Sequence, residues 1–91
     1  MVTKEVTIMN KQGLHARPAT ALVNTASSFK SDIFISRDDK KVNGKSILGL
    51  LILAAEYGAK LTIEAEGPDE EEAVNALISL ISDHFGMGKN S

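Results

Sequence analysis

Lys60-Leu61-Thr62-Ile63-Glu64-Ala65-Glu66 alternates polar and apolar residues at every step, which puts Leu61, Ile63 and Ala65 on one face and the charged and hydroxyl residues on the other. A strand with a single apolar face suits an antiparallel sheet that is packed on one side and wet on the other. Gly58 upstream permits a chain reversal into this strand. Downstream, Gly67-Pro68-Asp69-Glu70-Glu71-Glu72 combines a breaker, a capping aspartate and acids in a first turn, where the helix dipole favours negative charge. A long helix is expected next, with Val74, Leu77, Ile78, Ile81 and Phe85 in its apolar stripe and Gly86 or Gly88 as its end. The residues after it form a basic tail, expected to fray over about 87–91.

The same periods organise the N-terminal part. Val2, Val6 and Ile8 share a parity against Thr3, Glu5 and Thr7, a half-buried strand that leads into the polar loop Asn10-Lys11-Gln12-Gly13. Pro18 suits the first turn of a helix, and Ala19, Leu22, Val23 and Ala26 then recur at three- and four-residue steps to about Ser27, with Phe29 closing the packing. Ile33-Phe34-Ile35, the polar turn Arg37-Asp38-Asp39-Lys40 and Lys41-Val42-Asn43 read as a hairpin. Ser46 is a good N-cap for a short helix of about Ile47 to Ala55. The order strand, helix, strand, strand, helix, strand, helix predicts an α+β fold: four antiparallel strands covered on one face by three helices.

Ninety-one residues fit one domain, 1–91, and a chain this short buries only about 60 to 65% of its unfolded surface, which leaves little room for an enclosed substrate cavity. The absence of cysteine removes disulfides, thiolate catalysis and zinc–thiolate sites. A formal charge of −2 and 4% aromatics provide neither a field for nucleic acid or an anionic membrane nor a stacking platform for single strands. The longest apolar run, Ile47 to Ala55, is far below the roughly 20 residues that span a bilayer. The N-terminus lacks the basic end and apolar stretch of a secretory signal, so the expected compartment is the cytoplasm. A monomer is the default expectation.

Gly13-Leu14-His15-Ala16-Arg17-Pro18 puts an imidazole and a guanidinium at the mouth of a helix, where unpaired N–H groups and partial positive charge favour an anion. A neutral imidazole is a competent nucleophile toward phosphorus, and a guanidinium adds charge-assisted hydrogen bonds. Against this stands the plainer reading of His15 as a solvated or capping side chain. His84, near the end of the last helix, is expected to face solvent and meet the C-terminal dipole. The two histidines lie far apart without clustered carboxylates, so no metal spacing is present, and no cofactor motif stands out. Gly44-Lys45-Ser46 looks like the end of a nucleotide-binding P-loop, but the required glycine five positions before Gly44 is Asp39. Phosphate on a helix-capping Ser46 would gain roughly 0.3 to 2 kcal/mol from the helix terminus. Ile47, Leu48 and Leu51 share a helical face that either the core or a partner covers, and core burial is the generic expectation.

Gly13-Leu14-His15-Ala16-Arg17-Pro18-Ala19, followed by Val42-Asn43-Gly44-Lys45-Ser46-Ile47-Leu48-Gly49-Leu50, resembles the HPr family, the histidine-containing phosphocarriers of the bacterial phosphoenolpyruvate-dependent phosphotransferase system. The likeness runs over about residues 3 to 85 and implies an open-faced sandwich of four antiparallel strands under three helices. It implies that His15 takes a phosphoryl group on Nδ1 from enzyme I for delivery to EIIA-type proteins, and that Arg17 steadies the phosphate. By the same resemblance Ser46 is a regulatory serine for an HPr kinase/phosphorylase, and Ile47, Leu48 and Leu51 form an exposed patch that docks partners and regulators, which reverses the generic expectation of burial. Leu50 to Ala55 and Gly67 to Glu72 look like proteobacterial carriers, including those of a nitrogen-related regulatory branch, so sugar uptake and nitrogen-linked regulation both stay open.

Overall fold

The computed structural model describes residues 1–53 and 55–86. The strands are β1 (Val2–Thr7), β2 (Asp32–Arg37), β3 (Lys40–Asn43) and β4 (Lys60–Glu66); the helices are α1 (Ala16–Ser27), α2 (Ile47–Leu53) and α3 (Glu70–Ser82), with a short 3₁₀ turn at His84–Gly86. The sheet order is β1-β4-β2-β3 with every pairing antiparallel. β4, the strictly alternating strand, is therefore central, and Ile63 faces both Lys4 of β1 and Ile35 of β2 in register.

The alternation sorts the two faces as expected. Ile33, Ile35, Leu61, Ile63 and Ala65 are buried under the helices, while Thr3, Glu5, Asp32 and Phe34 lie on the open side. The helices close over this floor with Ala19, Leu22 and Ala26 of α1, Leu50 and Leu53 of α2, and Ala73, Val74, Leu77 and Ile81 of α3. Val23, Phe29 and Ile78 pack half-buried at its margin. Each fully buried Leu or Ile contributes about 1.5–3 kcal/mol, so the core supplies the main driving force. α1 packs against both other helices, α3 leans on β1 and β4, and α2 leans on β3 and β2.

Five local expectations change. α1 starts at Ala16, two residues before Pro18, because His15 takes the N-cap backbone geometry. The short helix ends at Leu53, and Ala55 is not helical. Asp69 occupies the N-cap position of α3 but makes no side-chain cap bond. Its carboxylate instead accepts from the Lys30 N–H at 2.9 Å, the Ser31 N–H at 2.9 Å and the Ser31 hydroxyl at 2.5 Å, tying the α1–β2 connection to the start of α3. α3 itself stops at Ser82, before either glycine, because His84 and Phe85 turn to left-handed φ values of 52° and 56°. That reversal buries Phe85 as expected but off the helix, and it leaves His84 half-buried, with Nδ1 sealed and without a partner among the described residues, rather than facing solvent. The tail 87–91 lies outside the described residues.

Candidate functional site

The mouth of α1 is built by backbone. Ala19 N–H donates to the His15 carbonyl at 3.0 Å, which closes the first helical turn. Pro18 has no N–H, and His15 makes no side-chain cap bond, so among the described residues the N–H groups of Ala16 and Arg17 are left as the unpaired donors of the first turn. His15 is half-buried. Among the described residues its Nε2 is sealed without a hydrogen-bond partner, whereas Nδ1 is neither bonded nor sealed, so Nδ1 is the nitrogen with access to solvent. Arg17, two residues on, is exposed and lines an open depression of about 440 Å³ together with Ala16, Thr20, Ala21, Asn24 and Phe85. An imidazole nitrogen, two free amides and a guanidinium thus share one helix end, the equipment to hold a small tetrahedral anion.

The loop before His15 is held from two sides. Asn10 accepts the Gly13 N–H on its carbonyl at 3.0 Å and donates its Nδ2 to the Gly13 carbonyl at 2.6 Å. Leu14 N–H donates to the Ala55 carbonyl at 2.8 Å, so the segment following α2 touches the residue before His15. Gly13 itself has φ +70°, and a Cβ there would stand 2.4 Å from the Ala55 carbonyl oxygen. On the other side of that segment, Arg37 donates to the Leu53 carbonyl at 3.2 Å and pairs with Glu56 at 2.5 Å. A backbone N–H bond at Glu56 and the Arg37 guanidinium hold the Glu56 carboxyl below its usual range.

α2 begins as the sequence predicts. Ser46 Oγ accepts the Gly49 N–H at 3.1 Å, a cap bond, and Leu50 N–H donates to the Ser46 carbonyl at 3.1 Å. Asn43 Oδ1 accepts the Lys45 N–H at 2.8 Å and steadies the approach to the cap. Gly49 lets the helix sit close on β3, since a Cβ there would lie 3.1 Å from Val42 Cβ. Leu50 and Leu53 face the core. Ile47, Leu48 and Leu51 are exposed, Leu48 to 70%, so the generic expectation of burial fails. The exposed apolar surface also takes in Ile52 and Tyr57, which the sequence reading did not single out. A seven-residue helix in an apolar run gives no periodic contrast from which to tell them apart. Phe85 is a neighbour of the site that only the fold returns to it, and nothing in the local pattern shows that the Asn10 side chain turns onto the loop three residues on. Among the described residues no group of three His, Cys, Asp or Glu side chains is placed to hold a metal, and no helix is long and apolar enough to cross a membrane.

Known proteins share this chain's fold and much of its sequence. The family model described as the PTS HPr component phosphorylation site matches residues 2–83. The phosphocarrier protein HPr of Neisseria meningitidis serogroup A is 46% identical over 89 residues, covering 98% of this chain and 100% of that protein. The HPr-like protein Crh of Halalkalibacterium halodurans is 52% identical over 81 residues, 89% of this chain and 96% of that one. Among solved structures, HPr-C-His from Thermoanaerobacter tengcongensis superposes with a TM-score of 0.93 at 49% identity, over 97% of this chain and 99% of the other.

Proposed function

The chain belongs to the HPr family of bacterial phosphotransferase-system phosphocarriers, which are carriers rather than enzymes, and from that premise we propose that His15 is the residue that takes and releases the phosphoryl group. The observation that carries this reading is the pairing of a solvent-accessible Nδ1 with the unpaired N–H groups of Ala16 and Arg17 at one helix mouth. In the attacking tautomer the ring proton sits on Nε2 and the lone pair on Nδ1. That lone pair attacks the phosphorus of phosphorylated enzyme I in line: the P–N bond forms at Nδ1 as the bond to the enzyme I side chain breaks and its electron pair leaves with that side chain, and the three phosphoryl oxygens turn toward the two amides and Arg17. Delivery to an EIIA-type acceptor runs the same exchange in the opposite sense. An exposed guanidinium and two amides hold the group loosely, which suits a carrier, because tighter binding would trap it.

The exposed apolar face of α2, Ile47, Leu48 and Leu51, supplies the docking surface, with weak and short-lived interfaces near or below about 1,200 Å² in total. Ser46 stands at the edge of that face. Phosphorylation there by a kinase of the HPr kinase/phosphorylase type adds about −1.5 to −2 charges beside the patch, repelling acidic partners and recruiting arginine-bearing regulators. A single chain in the cytoplasm suffices, since every group named comes from one copy. The relay serves sugar uptake or a nitrogen-related regulatory branch.

The test is incubation with phosphoenolpyruvate and enzyme I, read by intact mass. An acid-labile phosphate on the native chain that disappears in His15→Ala is the expected result. Absence of phosphate on the native chain would leave a regulatory module that binds only through α2.

A further inference from the structure

We infer that Asn10 is a positioning residue for His15, an inference that rests on the phosphoryl-carrier reading above. Asn10 is completely buried at the end of the segment that leaves β1, and a buried carboxamide costs folding free energy unless both its ends are bonded. Here only one end is. Nδ2 donates to the Gly13 carbonyl at 2.6 Å, while Oδ1 is sealed and has no partner among the described residues. An apolar residue of similar volume would avoid that orphaned acceptor, so a role in packing alone does not account for an amide at this place.

What the amide holds is the chain just before His15. The Asn10 carbonyl and Nδ2 engage the N–H and C=O of Gly13, so this single residue locks both peptide groups flanking the left-handed Gly13. The other tie on the loop, Leu14 N–H to the Ala55 carbonyl, is backbone to backbone. Among the described residues the Asn10 amide is therefore the one side chain hydrogen-bonded to the loop that aims His15. Fixing Gly13 fixes where α1 starts, and with it the relation of Nδ1 to the Ala16 and Arg17 amides. Group transfer is sensitive to such placement, a misplacement of about 1 Å costing on the order of 10²-fold.

Asn10→Ala keeps the backbone turn and removes the amide donor. With enzyme I and phosphoenolpyruvate, and the chain varied as substrate, the expected result is a kcat for phosphoryl transfer lowered about tenfold with KM unchanged, because the α2 docking face is untouched. Asn10→Asp is nearly isosteric and sets a carboxylate oxygen against the Gly13 carbonyl; its rate relative to the native chain is expected to recover as pH falls and the protonated carboxyl regains a donor. A folded Asn10→Ala whose kcat lies within twofold of native, or whose loss is entirely in KM, overturns the inference. Should Asn10→Ala not fold, the Asn10→Asp profile decides: recovery at low pH supports the inference and a flat ratio overturns it. A native chain that takes no phosphate in the same assay removes the carrier reading and this inference with it, and that outcome is told apart from the others because it appears before any substitution.

Discussion

At the scale of single residues, the site depends on backbone geometry as much as on its named side chains. Gly13 is the clearest case. With φ at +70° and a Cβ that would meet the Ala55 oxygen at 2.4 Å and the Glu56 Cα at 2.9 Å, alanine has neither the conformation nor the room. Gly13→Ala is expected to destabilise the fold by more than about 1 kcal/mol in urea unfolding, and to slow phosphoryl transfer by displacing His15. Arg17 is the opposite case. It is exposed and makes no hydrogen bond or ion pair among the described residues, so Arg17→Ala should leave the thermal midpoint unchanged. Stopped-flow transfer by that variant is expected to slow if, as proposed, the guanidinium acts on the phosphoryl group; unchanged rates would remove Arg17 from the site. His15 and Arg17 were legible from their place beside a helix-forming proline. That Nε2 is sealed and Nδ1 open was not, because ring orientation is set by neighbours that meet only in the folded chain.

At the scale of elements, the periods of two and 3.6 residues placed each strand and helix, and errors fell at ends, where few residues carry the signal. Asp69 is instructive. A Pro-Asp-Glu run reads as a cap, yet the carboxylate finds three better donors across the fold in Lys30 and Ser31. The hydrogen bond from the Ser31 hydroxyl, then that from the Lys30 N–H, lowers its pKa to about 2. Because the native value lies below the usual one of about 3.9, this tie contributes fully above that pH and is lost as pH falls through about 2. In Asp69→Ala, thermal unfolding is expected to show a lower midpoint at neutral pH and a shallower decline between about pH 4 and 2 than in the native chain. Equal slopes would mean that the α1–β2 connection does not depend on the carboxylate. The exposed face of α2 is a further element-scale lesson: Ile47, Leu48, Leu51 and Ile52 stay outside because α2 turns Leu50 and Leu53 toward β3, β2 and α1, and its opposite side meets none of them.

At the scale of the whole molecule, β4 joins everything, pairing with β1 on one side and β2 on the other while its inner residues support the helices. Ile63→Ala at its centre is expected to cost about 2–5 kcal/mol in urea unfolding, through lost burial and the cavity left behind, and a cost below 1 kcal/mol would mean that the core closes over the gap. The sequence alone determined the α+β class, the order of the elements and the apolar face of each, since these follow from short-range periodicity and the need to bury one side. It also marked His15, Arg17 and Ser46, whose local chemistry at helix starts is written in neighbouring residues. Only the tertiary structure decided that β4 lies between β1 and β2, that Asp69 bonds across the fold, that Asn10 grips the loop before His15, and that α2 keeps an apolar face in water. The first two are contacts between segments distant in the chain, while the Asn10 bond spans only three residues and the exposure of α2 depends on what covers it; all four follow from packing the whole core at once, not from any local pattern.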